Sequence, residues 1–278
     1  MTHRTSRSDL SYHLVVGCLA GLALLVLIGP VVVVLLTSLT TSAALKFPPP
    51  GFSTQWYAAL FDPEKSGHIH KAAYNSMWVA GMATAGATLL AVPAALSIGR
   101  LQSRAARSLE AAFLAPLILP TLAYGLATLM FFTLLGYRPS LWLLTIGHLV
   151  VIAPFVFRTT AATLGQLDPV LLESSASLGA SRLYTFRRVT LPLITPGILA
   201  GAFLAFVASL DNVPVSLFLS NARTDMLPIR MWGMIESNLD VRVAAISGVL
   251  IAAVIILMLV MERLVGLTRR ISGRGSSP

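Results

Sequence analysis

Six stretches of this chain run for at least 19 residues without an Asp, Glu, Lys or Arg: Leu10 to Leu45, Ala72 to Gly99, Ala111 to Tyr137, Pro139 to Phe157, Val189 to Leu210 and Val243 to Met261. A hydrocarbon core of about 30 Å is crossed by roughly 20 apolar residues as α-helix, the form that satisfies every backbone N–H and C=O within one segment. The stretches therefore predict an all-α membrane protein with six transmembrane helices. The first is longer than one helix needs, so its span is placed at about Tyr12 to Leu36; the fifth is expected to continue past Asp211 to about Leu219. Composition agrees, because 56% hydrophobic against 11% charged residues is too apolar for a fold facing water on all sides. One cysteine, Cys18, excludes an internal disulfide. It has little apolar sequence before it and a long apolar run after it, the reverse of a cleaved signal, so the first span is read as a retained anchor with Cys18 packed inside it.

The connections fit this count. Pro48-Pro49-Pro50-Gly51 breaks any helix and reads as a loop outside lipid, and Gly136 to Pro139 is a tight link between antiparallel helices. Prolines 93, 116, 120, 154, 196 and 214 lie within apolar runs and predict kinks. Orientation follows from the basic residues, which favour the cytoplasmic side. With the N-terminus inside, that side receives 13 of them (Arg4, Arg7, Arg100, Arg104, Arg107, Arg158, Arg182, Arg187, Arg188, Arg263, Arg269, Arg270 and Arg274) and the other side 7. Both termini are thus expected in the cytoplasm, with residues 1–11 and 266–278 as short tails around a membrane domain of residues 12–265. The net charge of +9 is explained by topology and anionic lipid, and no nucleic-acid recognition motif accompanies it. Trp56, Trp142 and Trp232 read as anchors at the outer interface.

No nucleotide-binding glycine loop, zinc-protease motif or paired-cysteine motif is present, and the polar loops hold no serine with a histidine and acid at hand. The chain is therefore read as neither an enzyme nor a metal or cofactor protein. His68 and His70 are two apart in a polar loop without further ligands. His148 lies within the fourth span, as a hydrogen-bonded bundle residue or a proton relay.

The polar segment from Arg158 to Arg188 carries the strongest local pattern. Asp168 is a good N-cap with Pro169 at the first helical position, and Leu171, Leu172, Ser175 and Leu178 recur at helical spacing. Gly179 suits the left-handed position that ends a helix, and Ser181 is placed to cap a second short helix whose Tyr184 and Phe186 supply bulk. Arg182, Arg187 and Arg188 belong at headgroup or solvent level. Such an amphipathic helix-turn-helix is built either to touch a cytoplasmic partner or to lie on lipid.

Glu173-Ser174-Ser175, Gly179 three residues later, nine residues to Val189 and then Leu191-Pro192 resemble the E-A-A-x3-G-x9-I-x-L-P signature of binding-protein-dependent ABC importer permeases. Ser174 and Ser175 stand for the two alanines and Val189 for the isoleucine. The resemblance extends through Pro192 to Gly201, Ala205 to Asn212 and Arg242 to Ser247, and is similar to the spermidine/putrescine-type branch, which also holds permeases for iron, phosphonates, thiamine and opines. It implies a cytoplasmic coupling helix between spans four and five, in a loop at 166–190, seated on an ATPase. Glu173, Ser174, Ser175, Leu178, Gly179, Ala180, Arg182, Phe186, Leu191 and Pro192 would form the coupling element. It further implies a cytoplasmic ABC ATPase dimer that binds the ATP, a second permease chain of different sequence, a periplasmic solute-binding protein and a place in the bacterial inner membrane.

Asp211 is the single formally charged residue placed within a span, where a carboxylate costs about 2.5 to 3.5 kcal/mol on insertion scales. With Asn212 beside it, it is expected either to line the solute's route or to make a structural hydrogen bond. The polyamine-type pattern often has two acids here. A small polar solute, a polyamine-like cation foremost, is the resulting expectation; the alternative is a gradient-driven secondary transporter or channel using Asp211 as its ion site.

Overall fold

A computed structural model describes residues 7–99 and 103–272. Arg4, Arg100 and Arg274 of the charge count lie outside these, as do parts of both tails. The described residues are mostly helical, with no strand beyond two isolated bridges. Its helices are α1 (Arg7–Ser38), α2 (Gln55–Phe61), α3 (Pro63–Ile98), α4 (Arg104–Leu114), α5 (Thr121–Leu134), α6 (Leu141–Gly165), α7 (Pro169–Ser177), α8 (Arg182–Thr185), α9 (Leu191–Leu210), α10 (Val213–Leu219), α11 (Leu227–Asn238) and α12 (Arg242–Ser272). Five of these segments are long and apolar enough to cross a bilayer. A sixth crossing is made if residues 104–117 and 121–134, bent by 101° at their junction, count as one broken span.

Two spans differ from the unbroken runs expected. The third is split where Pro116 and Pro120 interrupt the helical ladder, with a single 3₁₀ turn at Ala115–Leu117 between its halves. The fifth does not run on to Leu219: α9 ends at Leu210, and α10 restarts at Val213 with Pro214 in its first turn. Conversely α6 continues to Gly165, past Arg158. A charge ends an apolar stretch without ending a helix, so the fourth span reaches two turns beyond its apolar core. Pro93, Pro154 and Pro196 sit within continuous helices.

The described residues form two units, one from 7–67 and 234–252 and the other from 68–99, 103–233 and 253–272. In the first, the Pro48–Pro50 segment is a loop as expected. Ser38 Oγ and the Tyr57 hydroxyl are hydrogen-bonded at 2.8 Å, and Arg242 pairs with Asp240 while its guanidinium also donates to the Lys65 carbonyl at 3.0 Å. The side chains of α1 from Tyr12 to Val33 are largely exposed, and Cys18 is among them rather than packed away.

The second unit holds the core. Ala83, Ala87, Ala91 and Ala95 recur every fourth residue on α3 and are fully buried in a cluster with Ile152, Val156 and Phe157 of α6 and Ala205 of α9. In lipid no hydrophobic force draws helices together, so close approach depends on small residues at the contact. The α6–α9 pair shows this most plainly. A Cβ on Gly201 would lie 2.8 Å from the Val156 Cα, and one on Gly197 would lie 2.9 Å from the Thr159 carbonyl. The Gly197-x3-Gly201 spacing was a legible signal for this contact. Gly201→Val is expected to force α6 and α9 apart at a cost of about 1–3 kcal/mol. A melting temperature of the detergent-solubilised protein unchanged from the parent would contradict the packing.

Candidate functional site

Three groups of residues at different levels of the second unit carry the chemistry. The first is the turn between α6 and α9. Asp168 caps α7, its Oδ1 accepting from Val170 N at 2.9 Å. The helix closes on Gly179, whose φ of +77° is the left-handed conformation expected there. Gly179 N donates to the Ala176 carbonyl and Ala180 N to the Ser175 carbonyl, the paired bonds of a Schellman motif. Ser181 Oγ then accepts from Tyr184 N and starts α8. A widened π-helical turn at Phe186–Thr190 follows, leading into Pro192, whose ring would meet the Arg188 carbonyl in a straight α-helix.

The motif residues gather here. Glu173, Ser174, Leu178, Gly179 and Arg182 are exposed, while Ser175, Ala180, Phe186, Leu191 and Pro192 are half-buried. Leu178, at 87% exposure, Leu183 and Tyr184 are exposed apolar side chains of this turn, and Glu173, Arg187 and Arg188 are exposed charges in the same segment. Of the residues that recur at helical spacing on α7, Leu172 and Ser175 are half-buried and Leu171 and Leu178 are exposed. One contact was missed by sequence reading: Ser175 Oγ and Thr185 Oγ1 are 2.8 Å apart and tie α7 to α8. Ser175 stands where the motif has alanine, and a hydroxyl at the matching position of the next helix was the signal.

The second group surrounds the break between α9 and α10. Asp211 is the C-cap of α9 and is exposed. Asn212 is buried, and its Oδ1 accepts from Val215 N at 3.0 Å, so it is the N-cap of α10. The structure therefore separates two residues read together: the acid turns out and the amide turns in. His148 is fully buried opposite the break, with Nδ1 2.8 Å from Ser209 Oγ and Nε2 3.2 Å from Ser216 Oγ. Gly125 and Gly147 let α5 and α6 close on α10, and the Tyr124 hydroxyl donates to the Gly147 carbonyl at 3.2 Å.

The third group lies at the start of α6, where the α5–α6 and α10–α11 loops meet. Asn221 Nδ2 donates to the Pro139 carbonyl, and Trp78 and Trp142 meet edge to face with centroids 5.0 Å apart. With Arg138, Arg223 and Thr224 these residues line an open cavity of about 720 Å³. Helix α6 has 25 residues, about 37 Å at 1.5 Å each, which sets this cavity and the α7–α8 turn on opposite sides of a bilayer core. No cluster among the described residues could hold a metal ion.

A helical bundle with an irregular break inside a span and a protruding turn at one end is the architecture of a membrane permease. The chain belongs to the family of binding-protein-dependent transport system inner membrane components, whose model matches residues 87–270. It is 28% identical over 209 residues to the spermidine/putrescine transport system permease protein PotC of Escherichia coli (strain K12), covering 75% of this chain and 78% of that one. It is 27% identical over 222 residues to a putative 2-aminoethylphosphonate transport system permease protein, PhnV, of Salmonella typhimurium (strain LT2), covering 76% of this chain and 84% of that one. Among solved structures, a bacterial alginate ABC transporter in complex with an alginate pentasaccharide-bound periplasmic protein is similar in fold, with a TM-score of 0.69 at 15% identity over 98% of both chains. This chain is thus a permease of a binding-protein-dependent ABC importer, which displaces the gradient-driven alternative.

The Ser175–Thr185 bond is expected to contribute about 1 kcal/mol to the rigidity of the turn. Ser175→Ala and Thr185→Ala should each speed amide hydrogen exchange in residues 170–185, and the double variant should be no faster than either single. Additive effects would show that the hydroxyls act separately.

Proposed function

We propose that this permease carries a polyamine-like cation, provides half of the pathway together with a second, different permease chain, and takes its movement from a cytoplasmic ABC ATPase dimer through the α7–α8 turn. One observation carries the reading: the turn is rigidly capped at both helices yet holds Leu178, Leu183 and Tyr184 out to solvent, which a surface does when a partner covers it. Both termini are cytoplasmic in this scheme, on the side of that turn and of the basic surplus. The cavity at the other end of α6 faces the compartment from which a periplasmic solute-binding protein delivers its ligand. The permease has no ATPase site of its own and works in the bacterial inner membrane.

The transport step needs two bundle arrangements of similar free energy, biased in opposite directions by the nucleotide-bound ATPase and by the loaded binding protein. Helix α9 runs from the turn to the break and is packed on α6 through glycine, so displacement at Leu191 is carried along one stiff element to Asp211. Asp211, exposed at the break, supplies a carboxylate to a cationic solute, and the relatives named for spermidine, putrescine and an aminophosphonate all concern solutes with a cationic amine.

Two variants test this in proteoliposomes holding the permease pair with its ATPase and binding protein. A Cβ at residue 179 meets no neighbour within 4 Å. The fault in Gly179→Val is therefore conformational, about 1–2 kcal/mol for the left-handed backbone. It should abolish the ATPase response to loaded binding protein, whereas Gly179→Asn, which tolerates that conformation, should keep it; an undiminished response in the valine variant would sink the coupling role. Asp211→Ala should lower uptake about tenfold or more, as expected for a lost charge-assisted contact, with the ATPase still bound. Normal uptake by that variant would remove Asp211 from the pathway.

A further inference from the structure

His148 is placed where one side chain spans a gap in the backbone. Ser209 lies in the last turn of α9 and Ser216 in α10, seven residues apart, with Asp211 and Asn212 between them outside regular helix. In an unbroken helix these serines would share a face by periodicity alone. Here α9 has ended, and the imidazole ring contacts both hydroxyls at once. A neutral imidazole has one N–H donor and one acceptor nitrogen. One serine therefore receives its proton while the other donates, and both ring nitrogens are satisfied in a position fully buried from solvent.

The consequence falls on the residues between the two contacts. Asn212 is held inward as the cap of α10, and Asp211 N donates to the Val207 carbonyl, continuing α9 by one residue. With Ser209 and Ser216 fixed to the same ring, the linking residues have little freedom, and the Asp211 side chain is left on the outer side of the bend. Along α6, His148 is seven residues from Leu141 and 17 from Gly165. The break therefore lies nearer the arginine and tryptophan cavity than the α7–α8 turn.

We propose that His148 is a positioning residue of the solute pathway, a polar clasp that joins α9 to α10 across the break and fixes the direction in which Asp211 is presented. The clasp acts through Ser209 and Ser216 and does not touch solute. It rests on the pathway reading of Asp211 for its purpose, but its geometry is tested apart from that reading.

The experiment uses the assembled complex in proteoliposomes with Cys18→Ser, which leaves Asp211→Cys as the permease's sole thiol. The rate at which a water-soluble maleimide labels residue 211 is measured in four backgrounds: His148, His148→Leu, His148→Gln, and Ser209→Ala with Ser216→Ala. Loss of two buried hydrogen bonds should change the labelling rate about tenfold or more in the leucine and double-alanine backgrounds. Glutamine, whose amide has both a donor and an acceptor, should restore it towards the parent value. In parallel, with Asp211 intact, the same variants should raise the KM for solute more than they lower the maximal rate. If the leucine variant does not assemble, the double-alanine variant, which keeps the histidine, carries the test. Unchanged labelling and unchanged KM in an assembled double-alanine complex would overturn the clasp. Altered labelling at residue 211 alongside normal uptake by Asp211→Ala would instead uphold the clasp and reject the pathway role of the acid.

Discussion

The constraint on which the structure depends is that a backbone in hydrocarbon has no water to bond, so a span can be interrupted only where the protein itself supplies the missing partners. The break after Leu210 meets that condition for its amides. The Asp211 and Asn212 amides find carbonyls of α9, Asn212 caps α10 with its side chain, and Pro214 brings no donor to the new first turn. His148 bonds to both α9 and α10 across the break. An irregular segment at membrane depth is costly wherever it is not lined this way.

Small residues set what can move with what. The paired glycines of α9 bring it against the backbone of α6, and the alanine row on α3 is buried in the same cluster. The capped turn at one end of α9 and the bend at the other are thereby joined by a helix of 20 residues, about 30 Å long, that is held along its length. The backbone departs from regular α-helix at both of its ends. At one end the π-helical turn ahead of Pro192 holds a surplus residue; at the other, two residues outside regular helix separate α9 from α10.

Much of this was legible beforehand, for physical reasons that also explain what was not. Uncharged stretches measure hydrocarbon thickness, so the number of spans could be counted. The α7–α8 turn could be read residue by residue because Asp168, Gly179 and Ser181 act on backbone within three residues of themselves, and all three sit as their chemistry demands. Contacts between segments distant in sequence were not readable in the same way. Nothing within the fourth span says that His148 will find Ser209 and Ser216, since that pairing is fixed only once α6 and α9 pack. The same holds for Asp211, which an uninterrupted hydropathy pattern places inside a helix and which Pro214 and the Asn212 cap turn outward.

The separation of Asp211 from Asn212 bears on what the single acid means. Residue 212 is a buried N-cap, a position that Asn and Asp fill almost equally well. An aspartate there would hold its charge against the Val215 amide within the bundle, where burial of a carboxylate is costly, and would offer it poorly to a solute. Asparagine keeps the cap without that charge. The second acid often found at this point in the polyamine-type pattern is therefore not one that a solute would meet at residue 212 in this backbone, and its absence subtracts nothing from the exposed face of the break. Each copy of this chain presents one carboxylate at that level. On the proposed reading a dication would need its second counter-charge from elsewhere, and in a pathway built from two different permease chains the facing chain is the element positioned to supply it.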